Sequence, residues 1–145
     1  MVSTIEILKR TRDYVIADTE LSEYITQRYS KPLNHLIGYE KGNASAGKCP
    51  QLCYVLGKKT YTKMAVQAVT EACLVLQIIE PNAEDGIKNG SKIIDELSNK
   101  LVLLLNQQPT NAAFLQDFVV DTDYGTQHPF YESKISFTFH TRTHL

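Results

Sequence analysis

No stretch of this sequence is apolar for anything near the roughly 20 residues that a helix needs to cross a bilayer. Its first residues also lack the basic-then-apolar order of a signal peptide. The chain is therefore expected to be soluble, made in the cytoplasm and without a membrane partner. Cysteine is scarce: Cys49, Cys53 and Cys73 are odd in number, too few for a disulfide scaffold, and read as reduced thiols. An excess of one charge is missing too. Fifteen basic residues face sixteen acidic ones for a net charge of -1, and no basic tail is present, which argues against a protein that coats nucleic acid. Internal repeats and low-complexity tracts are absent as well.

What the sequence does hold is enough for one core. At 145 residues, 43% of them hydrophobic, a single domain over residues 1–145 is expected. Its organising stretch runs from Glu80 to Pro109, where Ile87, Ile94, Leu97, Leu101 and Leu104 recur at the spacing that lines one face of an α-helix. Asn82 is placed to cap it, and Asp85 suits the positive end of the helix dipole. Gly86 and Gly90 weaken that first turn, so the firm helix can begin as late as Ser91. Pro109 forces Gln108 out of helical geometry and stops it. The run Leu101-Val102-Leu103-Leu104-Leu105 is wider than one stripe, so Leu103 and Leu105 are the candidates for contact with a neighbouring subunit.

Ahead of this helix, Ser3-Thr-Ile-Glu6 is a capping box that opens a helix over Thr4 to Ile16. Asp18 opens a second, from Thr19 to Tyr29, which must end before Pro32. Leu33 to Tyr39 reads as an irregular edge strand and Lys41 to Lys48 as a loop. From Pro50 the period changes to two, with Leu52, Tyr54 and Leu56 on one side and Cys53 and Val55 on the other. A turn at Gly57-Lys58-Lys59 leads to a long strand from Tyr61 to Ile79, apolar on both faces at its end. Beyond the central helix, Phe114 to Val120 is expected as a strand, Asp121 to Phe130 as a polar loop and Tyr131 to Thr143 as a last strand. There Ile135, Phe137 and Phe139 alternate with Ser136, Thr138 and His140. The expected fold is α+β: a small, four-stranded, mostly antiparallel sheet under an N-terminal and a central helix, in the order α-α-β-β-α-β-β.

Three constellations invite chemistry. Gly42-Asn-Ala-Ser-Ala-Gly47-Lys48-Cys49 is one residue from the phosphate-cradling G-x-x-x-x-G-K-[ST]. Cys49 lacks the magnesium-binding hydroxyl, however, and a strand rather than a helix follows. Cys49 and Cys53 with His35 have an admissible zinc spacing, but residues four apart on a strand lie roughly 13 Å apart. Asp117, Asp121, Asp123 and His128 flank one loop without the remaining oxygens of a calcium site, and acids are common in turns. His140 and His144 fall on the polar side of the last strand or beyond it. None of these has the local context of a catalytic triad, so no enzyme, cofactor or metal site is expected. The rival readings are a small anion- or nucleotide-binding enzyme using the Gly42 to Cys49 loop, and an adaptor acting as a monomer or dimer.

The order of elements, together with Pro50-Gln-Leu-Cys-Tyr-Val-Leu56, Leu76-Gln-Ile-Ile-Glu-Pro81 and the closing Lys134-Ile-Ser-Phe-Thr-Phe-His140, resembles the tail-terminator, or tail-completion, proteins of long-tailed bacteriophages and prophages. The resemblance covers Thr4 to Thr143. It implies a subunit that forms a ring, typically hexameric, on the head-proximal end of the tail tube. The ring stops tube polymerisation and offers a surface to the head-completion or connector protein, with DNA passing without sequence preference. Such a protein is found in the host cytoplasm during assembly and then in the virion. Lys58, Lys59 and Lys63 repel one another in one short segment, which reads either as a solvated loop or as one facing an acidic neighbour such as the next subunit, the tube end or passing DNA.

Overall fold

The computed structural model describes residues 3–38, 49–62, 67–84, 86–108 and 115–142. Helix α1 (Thr4–Ile16) starts where the Ser3 hydroxyl accepts the Glu6 N–H at 3.2 Å. Helix α2 (Thr19–Tyr29) starts where the Asp18 carboxylate accepts the Leu21 N–H at 2.9 Å, and ends at Ser30 in the left-handed region. These are the ends that the two capping signals define. Each cap satisfies one of the donors that an α-helix leaves unpaired in its first turn.

Strands β1 (Asn34–Ile37), β2 (Gln51–Tyr61) and β3 (Gln67–Ile79) follow. Two short strands, β4 (Ala83–Glu84) and β5 (Ile87–Lys88), precede helix α3 (Asn89–Gln107), after which come β6 (Leu115–Asp123) and β7 (Phe130–Arg142). The main sheet has the order β1-β2-β3-β7-β6. Strand β1 runs parallel to β2, with Asn34 opposite Gln51 and Ile37 opposite Tyr54, while the other pairings are antiparallel. The sheet is thus five-stranded and mixed, not four-stranded and mostly antiparallel. The added strand is the irregular edge segment, drawn into the ladder when the Asn34 N–H donates to the Pro50 carbonyl and the Gly38 N–H to the Tyr54 carbonyl.

The central helix is shorter than its apolar spacing suggests. It begins at Asn89, not Glu80, because the preceding residues pair as the β4–β5 hairpin with Gly86 at φ +73°, a turn that favours glycine. Asn82 does not cap the helix with its side chain. Its carbonyl accepts the Asn89 N–H at 3.0 Å, and the capping position is Lys88, which makes no side-chain cap bond. Ile87 is consequently 57% exposed, whereas Ile94, Leu97, Leu101 and Leu104 are buried as the helical spacing requires. Asp85 and Pro109 lie outside the described residues. Gly90 has a packing role: a Cβ there would overlap the Tyr131 ring, so only glycine lets this fully buried aromatic lie against the first turn of α3.

Two further boundaries move. Strand β2 continues through Gly57, Lys58 and Lys59 to Tyr61 instead of turning, absorbing the irregularity as a register shift between Leu56 and Lys59. Strand β6 extends through Asp121 and Asp123, so the polar loop is confined to residues 124–129; its own register shifts between Gln116 and Val119. Phe114 and Thr143 lie outside the described residues.

One core joins helices and sheet. Helix α3 crosses β7, β6 and β3, and α1 packs on β1, β2 and α3. Leu52 and Tyr54, the even-numbered residues of β3 from Ala72 to Ile78, and Tyr131, Ile135, Phe137 and Phe139 all join Leu8, Ile25, Ile94, Leu97 and Leu101. This alternation puts Cys53, Val55, Cys73, Val75, Lys134 and Ser136 on the opposite face.

Candidate functional site

That opposite face is graded along the strands. Toward the start of β2, Gln51, Cys53, Val75 and Gln77 are buried, and a row of amides and one acid ties three strands together: the Gln51 amide donates to the Gln77 carbonyl oxygen, and the Gln77 amide to Glu132 at 3.0 Å. Toward the other end the face opens into a shallow depression of about 450 Å³, lined by Val55, Glu71, Cys73, Val119, Lys134 and Ser136. The register shifts of β2 and β6 flank this depression on its two sides. Cys73 is half-buried here. Burial pushes its thiol pKa up, with the Lys134 ammonium opposing that shift.

The two long borders of the sheet differ. Strand β1 covers only Gln51 to Tyr54 of β2, so among the described residues the rest of β2, with Lys58 and Lys59, has no neighbour on its outer side. Both lysines are exposed; the Lys59 ammonium donates to the Thr4 hydroxyl at 3.1 Å and lies 5.4 Å from the Tyr61 ring centre. Lys63 lies outside the described residues. The other border is β6, which carries Asp117, Asp121 and Asp123 together with exposed Val119 and Val120. Asp123 accepts the Gly125 N–H at 3.0 Å, the Thr126 N–H at 2.8 Å and the Thr126 hydroxyl at 2.6 Å. These bonds, the hydroxyl's foremost, hold its pKa below the usual carboxylate range. Asp117, at φ +59°, accepts from the Thr138 hydroxyl at 3.1 Å.

Of the two leucines singled out on α3, Leu103 is 56% exposed and available to a partner, whereas Leu105 is 1% exposed. Leu105 belongs to the chain's own core. The leucine run is wider than one stripe because α3 is enclosed on adjacent sides by β7, β6, β3 and α1, not because a second subunit is needed to cover Leu105.

The chemical constellations do not converge. The Nδ1 of His35 pairs with the Tyr54 hydroxyl at 2.8 Å on the helix-covered side, while Cys53 is on the other face; burial first, and Arg12 second, lower the His35 pKa to about 4. His128 pairs with the Tyr131 hydroxyl at 2.6 Å, remote in role from Asp117 and Asp121. Among the described residues no group of three His, Cys, Asp or Glu side chains is arranged to hold a metal ion. The Gly42 to Lys48 loop lies outside the described residues; Cys49, which closes it, is buried. Among the described residues no helix is long and apolar enough to cross a membrane. No protein-family model matches the sequence, and no curated protein matches it.

The sequence places Val119 and Val120 in a strand but Asp121 and Asp123 in a loop, because acids beside a glycine-containing stretch resemble a loop. Edge strands tolerate such residues since one side of their backbone faces water.

Proposed function

We propose that the chain is a structural subunit without catalytic activity that assembles with copies of itself into a closed ring, in the manner of the phage tail-terminator proteins it resembles. The observation that carries this reading is the β6 border, where Val119 and Val120 are 62% and 42% exposed on a strand whose outer side has no partner among the described residues. A long sheet border with exposed β-branched residues favours strand addition, and closure into a ring is the arrangement that leaves no such border over. In this reading a ring, hexameric as the resemblance implies, caps the tail tube, halts its growth and presents a surface to the head-completion or connector protein while DNA passes through. The ring forms in the host cytoplasm and stays at the head-proximal end of the tail.

Light-scattering mass over a concentration series, combined with co-sedimentation on purified tail tubes, tests it. A mass several times the 16.4 kDa subunit and binding to tube ends are expected. A chain that stays at one-subunit mass at the highest concentration and ignores tubes overturns the reading.

A further inference from the structure

Resting on that reading, we propose that the ring closes head to tail by pairing the lysine-bearing outer end of β2 in one subunit with the aspartate-bearing β6 border of the next. The occupant of each border is therefore a second copy of this chain. Three observations carry this. The part of β2 without a neighbour among the described residues displays Lys58 and Lys59, and β6 displays Asp117, Asp121 and Asp123, so the two borders of one sheet have opposite charge. Like borders repel: β2 against β2 sets lysine on lysine, and β6 against β6 sets aspartate on aspartate. Charge thus opposes the isologous dimer and favours the heterologous contact, which makes rings when its rotation closes.

The second observation is strand direction. Since β2–β3, β3–β7 and β7–β6 are each antiparallel, β6 runs opposite to β2. A neighbouring subunit in the same orientation therefore brings its β6 antiparallel to β2, and the sheet continues across the interface. The third is the placement of β1. Among the described residues it occupies β2 from Gln51 to Tyr54 and no further, so the incoming β6 pairs beyond Tyr54. That offset staggers successive subunits along the strands, as closing a sheet on itself requires. Val119 and Val120, between the aspartates, become buried in the same step.

The test is a charge swap with complementation. The variant Lys58→Glu/Lys59→Glu has two acidic borders, and Asp117→Lys/Asp121→Lys reverses the sign of β6, where Asp123 alone is left acidic; sedimentation velocity is measured for each alone and for an equimolar mixture, with thermal melts confirming that both fold. Each variant alone should associate at least about tenfold more weakly than the wild type, more so at low salt. The mixture should regain wild-type assembly, because every acidic border then finds a basic one. Wild-type assembly by both single variants, or loss in both with no recovery on mixing, overturns the pairing while leaving ring formation standing. A wild-type chain that never assembles fails the proposed function itself. Should the Asp117→Lys/Asp121→Lys variant not fold, Gln116→Lys/Asp117→Asn/Asp121→Lys, which keeps at position 117 a residue that tolerates the left-handed backbone, replaces it in the same scheme.

Discussion

The two faces of the one sheet follow different rules. On the helix-covered face every strand places apolar residues in register, from Tyr54 through Leu74 to Ile135, and the helices supply Leu8, Ile94, Leu97 and Leu101 to meet them. On the other face the same strands carry Gln51, Gln77 and Glu132 at one end and Glu71, Cys73, Lys134 and Ser136 at the other. Removing apolar area from water stabilises the first face by roughly 25 cal/mol per Å², independent of direction, whereas the second depends on hydrogen bonds worth about 1 kcal/mol net each. The covered face therefore fixes stability, and the other face and its borders are left to determine association.

The largest effect belongs to the covered face. Leu101 is 1% exposed beneath the sheet, and Leu101→Ala should lower stability by about 2–5 kcal/mol, since the cavity left in a packed core adds to the lost transfer energy. Leu103→Ala, two residues along the same helix, should stay within about 0.5 kcal/mol. Denaturant titration of both variants measures the ratio. Equal losses would mean that the face of α3 that meets the sheet has been misassigned.

Next in size is Gly90→Ala. Helix propensity alone favours alanine by about 1 kcal/mol. Here the added methyl meets the ring of Tyr131, which is 1% exposed and held by His128, so overlap prevails and a net loss of about 2 kcal/mol is expected. A thermal melt decides between the two terms: a stabilised variant would show that Tyr131 moves freely, and that the junction of α3 with β7 is not tightly packed.

This glycine also shows what the sequence could disclose. Gly90 reads there only as a weak first turn, because the residue it accommodates is distant in the chain. Signals confined to a few neighbours were legible: the Ser3 and Asp18 caps, the two-residue alternation of β2 and β7, and the leucine stripe of α3 from Ile94 to Leu104. Signals that depend on pairing were not. The spacing that drew Ile87 into the helix stripe fits a turn equally well, and only the β4–β5 hairpin settles it. The Lys58-Lys59 pair looks like a turn because a register shift inside a strand has no local signature. The parallel alignment of β1 was hidden because Asn34 to Ile37 is too short to show a period. For the same reason Leu105 was misplaced at a partner surface: the sequence gives its helix face but not how many elements enclose that helix.

A smaller effect separates the faces by pH. His35 has a folded pKa of about 4 against the ordinary 6.5, so between those values the unfolded chain binds a proton that the folded chain does not. Stability from this group is therefore full above pH 6.5 and is lost as pH falls toward 4. Linkage for a fully shielded ring gives about 2 kcal/mol of loss by pH 5, and partial solvent access reduces this to about 1 kcal/mol. Melts at pH 7 and pH 5 should show a smaller difference for His35→Gln than for the wild type. The same slope in both would place the pH sensitivity elsewhere, and would free the covered face from titrating groups.

The smallest effect on folding should have the clearest effect on assembly. Val119 is 62% exposed, so Val119→Thr removes almost no buried apolar area, and threonine keeps the β-branched shape that suits a strand. Unfolding free energy should therefore change by no more than about 0.5 kcal/mol. If a neighbouring subunit covers this border, the same substitution puts a hydroxyl into each contact without a partner prepared for it, at a cost of about 1–3 kcal/mol per contact. Because a closed ring repeats the contact at every subunit, the concentration needed for half-assembly should rise by well over about tenfold while the melting curve of the subunit barely moves. Light scattering across a dilution series reads the first quantity and calorimetry the second. A variant that melts and assembles like the wild type would leave Val119 in solvent within the assembled form, and β6 would then be the border that the ring does not use.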